Sequence, residues 1–176
     1  MKLPYRGLPA LPTIHTLSLE AIGLGLGVAF TAAASATYAF TNRAHLIPFH
    51  INFPITVTKL FSVNGATASG NIDVGIYSAD LTRIVSAGST AQAGTNAVQV
   101  FDITDTILGA GDFYLAIAMD NTTGTVFRAT GGVANMRRAG MLQMNTAFPL
   151  PTTITPASVT QSFAPMIGLR QRGTVL

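Results

Sequence analysis

The 176-residue chain contains no cysteine and no tryptophan, and only 10% of its residues are charged. Without cysteine it can form neither disulfide bonds nor thiolate metal sites, which is compatible with synthesis in a bacterial cytoplasm. A typical soluble domain carries about 25% charged residues. The deficit therefore indicates either a membrane location or a surface that other protein copies cover.

Lysine is also scarce, because Lys2 and Lys59 are the only two, and the remaining basic residues are arginines. Protein interfaces favour arginine, whose guanidinium group is weakly hydrated and binds carboxylates and carbonyls with two donors. The net charge of +3 is not concentrated, since only Arg137 and Arg138 are adjacent. Nucleic-acid binding usually needs a basic stripe, so we expect no nucleic-acid partner.

Residues 21–40 form an uncharged run that is long enough to span a bilayer. Its glycines at 23, 25 and 27 weaken a helix and alternate with Leu24, Leu26 and Val28. This period of two indicates an extended arm that packs against another subunit. We therefore expect no membrane span. The three prolines among the first twelve residues also argue against a secretory signal.

From Tyr38 onward, short apolar segments alternate with polar residues and are joined by Gly, Asn and Asp turns. In residues 71–78, for example, Ile72, Val74 and Ile76 share one face. No helical stretch alternates with these segments, so a parallel α/β sheet is not expected. The pattern predicts an all-β fold, an antiparallel β-sandwich that is jelly-roll-like, with extended N- and C-terminal arms.

The same pattern divides the chain into three parts. Residues 1–37 are predicted as an N-terminal arm, 38–130 as the sandwich core, and 131–176 as a C-terminal extension that returns a last strand. Within the core, residues 105–111 are predicted as a turn. Within the extension, residues 134–144 fit a short helix or a strand, and 148–163 are predicted to run extended over the surface.

The region from about Arg43 to Arg128 resembles β-sandwich structural proteins of tailed bacteriophages, of the head-decoration, head-fibre or tail-fibre type. The resemblance is carried by an entry strand with Pro-Phe-x-Ile, by ITVTKL, by GNIDVGIYSAD with its hairpin, by GTNAVQ, and by LGAGDFYLA. It covers about half of the chain and neither arm. The resemblance implies a virion component and carries over no functional residues.

The sequence contains no catalytic set. Glycoside hydrolysis needs two carboxylates about 5–10 Å apart in a cleft, and nothing in the sequence requires such a pair. Aspartates at turns and strand ends usually cap backbone N–H groups. No nucleophile elbow, Walker motif or dinucleotide fingerprint is present. We expect no enzyme activity and no cofactor. The seven acids are Glu20, Asp73, Asp80, Asp102, Asp105, Asp112 and Asp120.

A metal site is not expected either. His45 and His50 are five residues apart, which places them on opposite faces of one strand, and His15 lies far away in sequence. A zinc site needs three or four convergent ligands. Asp102–Asp105 resembles half of a calcium loop without its closing glutamate, so a structural ion held by carbonyls stays an open alternative.

Aromatic residues could instead form a sugar-binding platform. Tyr77 and Tyr114 both lie on the faces opposite the main apolar stripes, so they are the candidate glycan or receptor contacts. The alternative is that these faces are buried against a neighbouring copy.

The leading interpretation is a structural component of a bacteriophage virion, either a capsid decoration, head-fibre or tail protein. It would be made in the host bacterial cytoplasm and would assemble through its arms and apolar surface with itself, for example as a trimer, and with other virion proteins. The alternative is a carbohydrate- or receptor-binding module of a tail or fibre tip, with a host-surface glycan as partner.

Overall fold

The computed structural model describes residues 14–15 and 34–171. Most of the predicted N-terminal arm, including the glycine-alternating segment, lies outside the described residues. So do the last five residues of the chain.

The described residues form thirteen β-strands and one short helix. In chain order they are β1 (Ile14–His15), β2 (Ala34–Thr37), β3 (Ala44–Ile51), β4 (Ile55–Val63), β5 (Asn71–Ser78), β6 (Arg83–Ser86), β7 (Thr90–Ala91), β8 (Val98–Leu108), β9 (Gly111–Met119), β10 (Thr125–Thr130), α1 (Val133–Arg138), β11 (Leu142–Met144), β12 (Phe163–Pro165) and β13 (Ile167–Gln171).

The strands build three antiparallel sheets. Sheet 1 has the order β1-β13-β4-β8, and sheet 2 has the order β11-β3-β9-β5-β6, with β7 also paired to β5. The small sheet 3 has the order β12-β10-β2. Sheets 1 and 2 face each other, with β13 over β9, β4 over β5 and β8 over β6.

The connectivity is that of a jelly roll. The eight principal strands are, in chain order, β1, β3, β4, β5, β6, β8, β9 and β13. Numbered one to eight in that order, they give sheet orders 1-8-3-6 and 2-7-4-5. The first strand thus pairs with the last, and every consecutive pair of strands crosses between the sheets except the β5–β6 hairpin, as in the double Greek key. The predicted jelly-roll-like β-sandwich is confirmed.

Alternating residues of both sheets fill the core between them. From β5 the core receives Ile72, Val74 and Ile76, none of them exposed, and β4 contributes Val57 and Leu60. Each side chain of this size stabilises the fold by about 1.5–3 kcal/mol when fully buried. The period-two pattern therefore places the core residues as predicted for β5.

The opposite face of sheet 2 is also buried. Residues 147–154, here called the covering segment, lie over it and contribute Ala147, Leu150 and Ile154 to a second apolar cluster. Small residues make room for this third layer, because a Cβ on Gly75 would come within 3.0 Å of Leu150 Cδ1. This region, predicted to run extended over the surface, is therefore packed into the structure.

Residues 131–171 contribute to all three sheets. The segment 134–144 is a short helix followed by a strand, so both alternatives are realised in succession. β11 extends sheet 2, β12 extends sheet 3, and β13 lies between β1 and β4 in sheet 1. The jelly roll is thus completed by residues well beyond 130.

Candidate functional site

The two tyrosines that the sequence singles out are cross-strand neighbours, since Tyr77 and Tyr114 are directly paired in the β5–β9 register. Tyr77 is completely buried, and its hydroxyl donates a hydrogen bond to the carbonyl oxygen of Pro151 in the covering segment. Tyr114 is half-buried and packs against the same cluster. In this structure Tyr77 presents no surface to a ligand, because the chain itself covers it.

Polar contacts anchor the covering segment over these tyrosines. The Leu150 N–H donates to Asp73 Oδ2 at 3.0 Å, and the Arg83 guanidinium donates to the Leu150 carbonyl. Burial raises the pKa of Asp73 above its usual value, against the opposing effects of the Leu150 hydrogen bond and the Arg83 charge. Farther along, the Ile154 N–H donates to the Leu81 carbonyl at 3.0 Å. Through its hydrogen bond with the Leu150 N–H, Asp73 is one of the residues that anchor this segment.

A buried polar network joins the loops at one end of the sandwich. Asn64 Nδ2 donates to the Ala93 carbonyl at 2.7 Å and to Gln99 Oε1 at 2.8 Å. Gln92 Nε2 donates to Asn64 Oδ1 at 3.2 Å and to the Thr125 carbonyl at 2.8 Å. These amides bind the chain's own loops, so their hydrogen-bonding capacity serves loop structure.

Asp120 has a similar structural role beside this network. Its carboxylate accepts hydrogen bonds from the Asn71 N–H at 2.8 Å, from Asn71 Nδ2 at 2.7 Å and from Asn121 Nδ2 at 2.9 Å. Partial burial favours the neutral acid, but these hydrogen bonds prevail and lower the pKa of Asp120. Asp120 thus caps backbone and amide groups, as expected for a turn aspartate.

The histidines occupy different environments on one strand. His45 is completely buried, whereas His50 is exposed and lies 2.7 Å from Asp112. Among the described residues, no three His, Cys, Asp or Glu side chains are grouped so that they could hold a metal ion. His15 pairs through its backbone with Gly168, far from both in the chain.

His45 lies in an aromatic cluster between sheets 2 and 3. Its ring centroid is 5.0 Å from that of Tyr38 and 5.1 Å from that of Phe163, and neither ring nitrogen has a hydrogen-bond partner. Burial, and then the charges of Arg43 and Arg128, lower the pKa of His45 to about 3. His45 is therefore a neutral packing residue at physiological pH.

Among the described residues, exposed large apolar side chains are concentrated on β8. Val98 is 52% exposed, Val100 38% and Ile107 75%; we call these three the apolar edge. The two others are Phe53, just before β4, and Ile84, on the neighbouring edge strand β6. Because Phe101 and Leu108 point into the core, the adjacent Val100 and Ile107 point away from it.

β8 is also an open sheet edge. It ends sheet 1 and pairs with β4 alone among the described strands, so its other side has a row of backbone donors and acceptors. Natural edges are usually protected by proline, lysine, bulges or short length. β8 has eleven residues, contains neither proline nor lysine, and pairs regularly with β4 from Val98 to Asp102. An irregularity follows Asp102, and Lys59 binds that carboxylate.

The alternation of Val98 and Val100 with polar Gln99 predicts that the two valines share a face, but it does not identify β8 as an edge. Strand order depends on pairings between distant parts of the chain, and no local signal in residues 98–108 reports it. The scarcity of charge was the available indication of an apolar surface.

Over the residues that the structure describes, no helix is both long and apolar enough to cross a membrane. Comparison of the chain with protein-family models, curated proteins and solved structures finds no match.

Proposed function

We propose that this protein is a structural component of a bacteriophage virion, a capsid decoration, head-fibre or tail protein that assembles with copies of itself. The jelly roll supports this proposal as an analogy, because capsid proteins are among the proteins that use it. The low charge content supports it physically, since surfaces that become buried between subunits need few charges.

The observation that carries the proposal is the apolar edge. An exposed edge strand with apolar side chains is a template for pairing with another chain. A protein that worked as a monomer would be at risk of aggregation through β8. In a protein that works in an assembly, the same strand forms a contact between subunits.

Two measurements test this proposal. Analytical ultracentrifugation of the full-length chain should show a discrete oligomer that forms with increasing concentration. Quantitative mass spectrometry of purified particles, from the phage that carries the gene, should find the chain in many copies per particle. A chain that stays monomeric at every concentration, or that is missing from the particles, would overturn the proposal.

A further inference from the structure

We propose that the regular stretch of β8, Val98–Asp102, binds the same stretch of a second copy, so that two β8 strands pair antiparallel about a twofold axis at Val100. This inference rests on the proposed function and deepens it by naming the contact. The two copies of sheet 1 would then form one continuous sheet, in the order β1-β13-β4-β8-β8-β4-β13-β1.

The position of the axis follows from the regular part of β8. Pairing with β4 is regular from Val98 to Asp102 and shifts beyond Asp102. A regular strand on one side leaves a regular hydrogen-bonding edge on the other, so this stretch is the part that can accept a new strand. Its central residue is Val100. Antiparallel pairing of the stretch with itself therefore places Val100 opposite Val100 of the second copy.

The charges of the edge fit a second copy. In this register Asp102 lies opposite Val98 of the second copy, and the two Asp102 residues are four positions apart. At about 3.3 Å per residue this separates them by about 13 Å, which exceeds the Debye length of about 8 Å at physiological salt. Each Asp102 is also neutralised by Lys59 of its own chain. Identical edges therefore meet without close like-charge contact.

The side chains of the two paired β8 stretches are also complementary. Directly opposite residues in an antiparallel pair have Cβ atoms about 4.5–5.5 Å apart. The exposed face of Val100 would be buried against its equivalent, and Val98 would cover the stem of Asp102. Ile107 lies beyond the irregularity and would stay outside the paired stretch, although it is the most exposed of the three. This difference between Val100 and Ile107 makes the inference testable.

The first experiment compares two lysine substitutions on the same strand. Val100→Lys should bring two ammonium groups together at the axis and weaken self-association at least about 100-fold, since each 1.4 kcal/mol is a factor of ten. Ile107→Lys makes the same chemical change seven residues away and should associate like the wild type. Sedimentation velocity measures the association, and circular dichroism with a thermal melt verifies that both variants are folded.

The second experiment uses the absence of cysteine from the chain. Val100→Cys should form a disulfide-linked dimer under mild oxidation, because equivalent residues face each other only at the axis. Ile107→Cys should stay largely unlinked. Non-reducing electrophoresis measures both.

The outcomes separate the inference from the proposed function. If the wild type oligomerises, Val100→Lys is monomeric and Val100→Cys cross-links, the inference is supported. If the wild type oligomerises but Val100→Lys associates equally well, or if Ile107→Cys cross-links as fast as Val100→Cys, another surface is used. The inference then fails while the proposed function stands. A wild type that never associates overturns both.

Discussion

The outer face of sheet 2 and the edge of sheet 1 are both apolar, but among the described residues only the first has a covering segment. Over sheet 2, Leu150 of the covering segment packs on Gly75, and the carbonyl oxygen of Pro151 accepts a hydrogen bond from the Tyr77 hydroxyl. Along β8, Val98, Val100 and Ile107 have no such cover among the described residues. The difference separates apolar surface that packs within the fold from apolar surface that the described residues leave exposed.

The largest expected effect compares one residue from each surface. Leu150→Ala should lower the free energy of unfolding by about 2–5 kcal/mol, because it removes buried methyl groups and leaves a cavity under the covering segment. Ile107→Ala removes the same kind of group from an exposed position and should change stability by less than about 0.5 kcal/mol. Urea unfolding at low protein concentration measures both. Equal losses in the two variants would contradict the comparison.

The next prediction contrasts a buried with an exposed histidine on β3. The folded-state pKa of His45 is about 3 and its unfolded value is 6.5, so the unfolded chain binds the proton more readily below pH 6.5. Stability from neutral His45 is complete above pH 6.5 and falls by about 1.4 kcal/mol per pH unit as the pH decreases toward 3.

His45→Phe should remove this part of the pH dependence, since it keeps an aromatic ring and cannot be protonated. His50→Gln changes the exposed histidine of the same strand and is the comparison variant. Urea unfolding between pH 4 and 8 measures the profiles. If the free energy of unfolding of His45→Phe decreased below pH 6.5 as steeply as that of the wild type, His45 would not be the cause of the decrease.

A smaller effect is expected at Asp73, which anchors the covering segment. Its folded-state pKa is raised above 3.8, so ionisation is easier in the unfolded chain. Wild-type stability relative to Asp73→Asn should therefore decrease as the pH rises from 3.8 through the folded-state pKa, and then stay constant. Between these two pKa values the decrease is about 1.4 kcal/mol per pH unit. Urea unfolding of both proteins across this pH range measures it. A relative stability that increased with pH would mean that Arg83 and the Leu150 hydrogen bond outweigh burial.

The smallest predicted effect concerns the hydroxyl that ties sheet 2 to its cover. Tyr77→Phe should cost about 0.5–1.5 kcal/mol, the usual value of one intramolecular hydrogen bond. Tyr114→Phe is the control on the neighbouring strand. Thermal unfolding of both variants measures the difference, and a larger loss at Tyr114 would contradict the assignment of the anchor to Tyr77.

The sequence was informative about which residues share a face and uninformative about what covers that face. Alternation along β5 separated Ile72 from Tyr77, and the structure has them on opposite sides of sheet 2. The same reasoning put Tyr77 and Tyr114 on one patch, where they are indeed paired. It could not show that Pro151, 74 positions later in the chain, lies over them.

Strand ends were predicted less well than strand faces. Residues 105–111 are predicted as a turn, yet β8 continues to Leu108. Leu108 pairs with Ile55 and fills the core, so tertiary packing extends the strand past Asp105, a residue type with weak β-propensity. The role in a virion, the glycan alternative and the oligomeric state remain predictions.

The pairing of the first principal strand with the last has a consequence for synthesis. β13 fills the gap between β1 and β4, so sheet 1 cannot close until the ribosome has delivered Ile167–Gln171. Such long-range pairings slow folding, because distant segments must meet before their contacts can stabilise them. β4 is left with an open side in any chain that ends before β13. Incomplete products therefore lack the finished sheet, and they are the species a cell's chaperones and proteases would encounter.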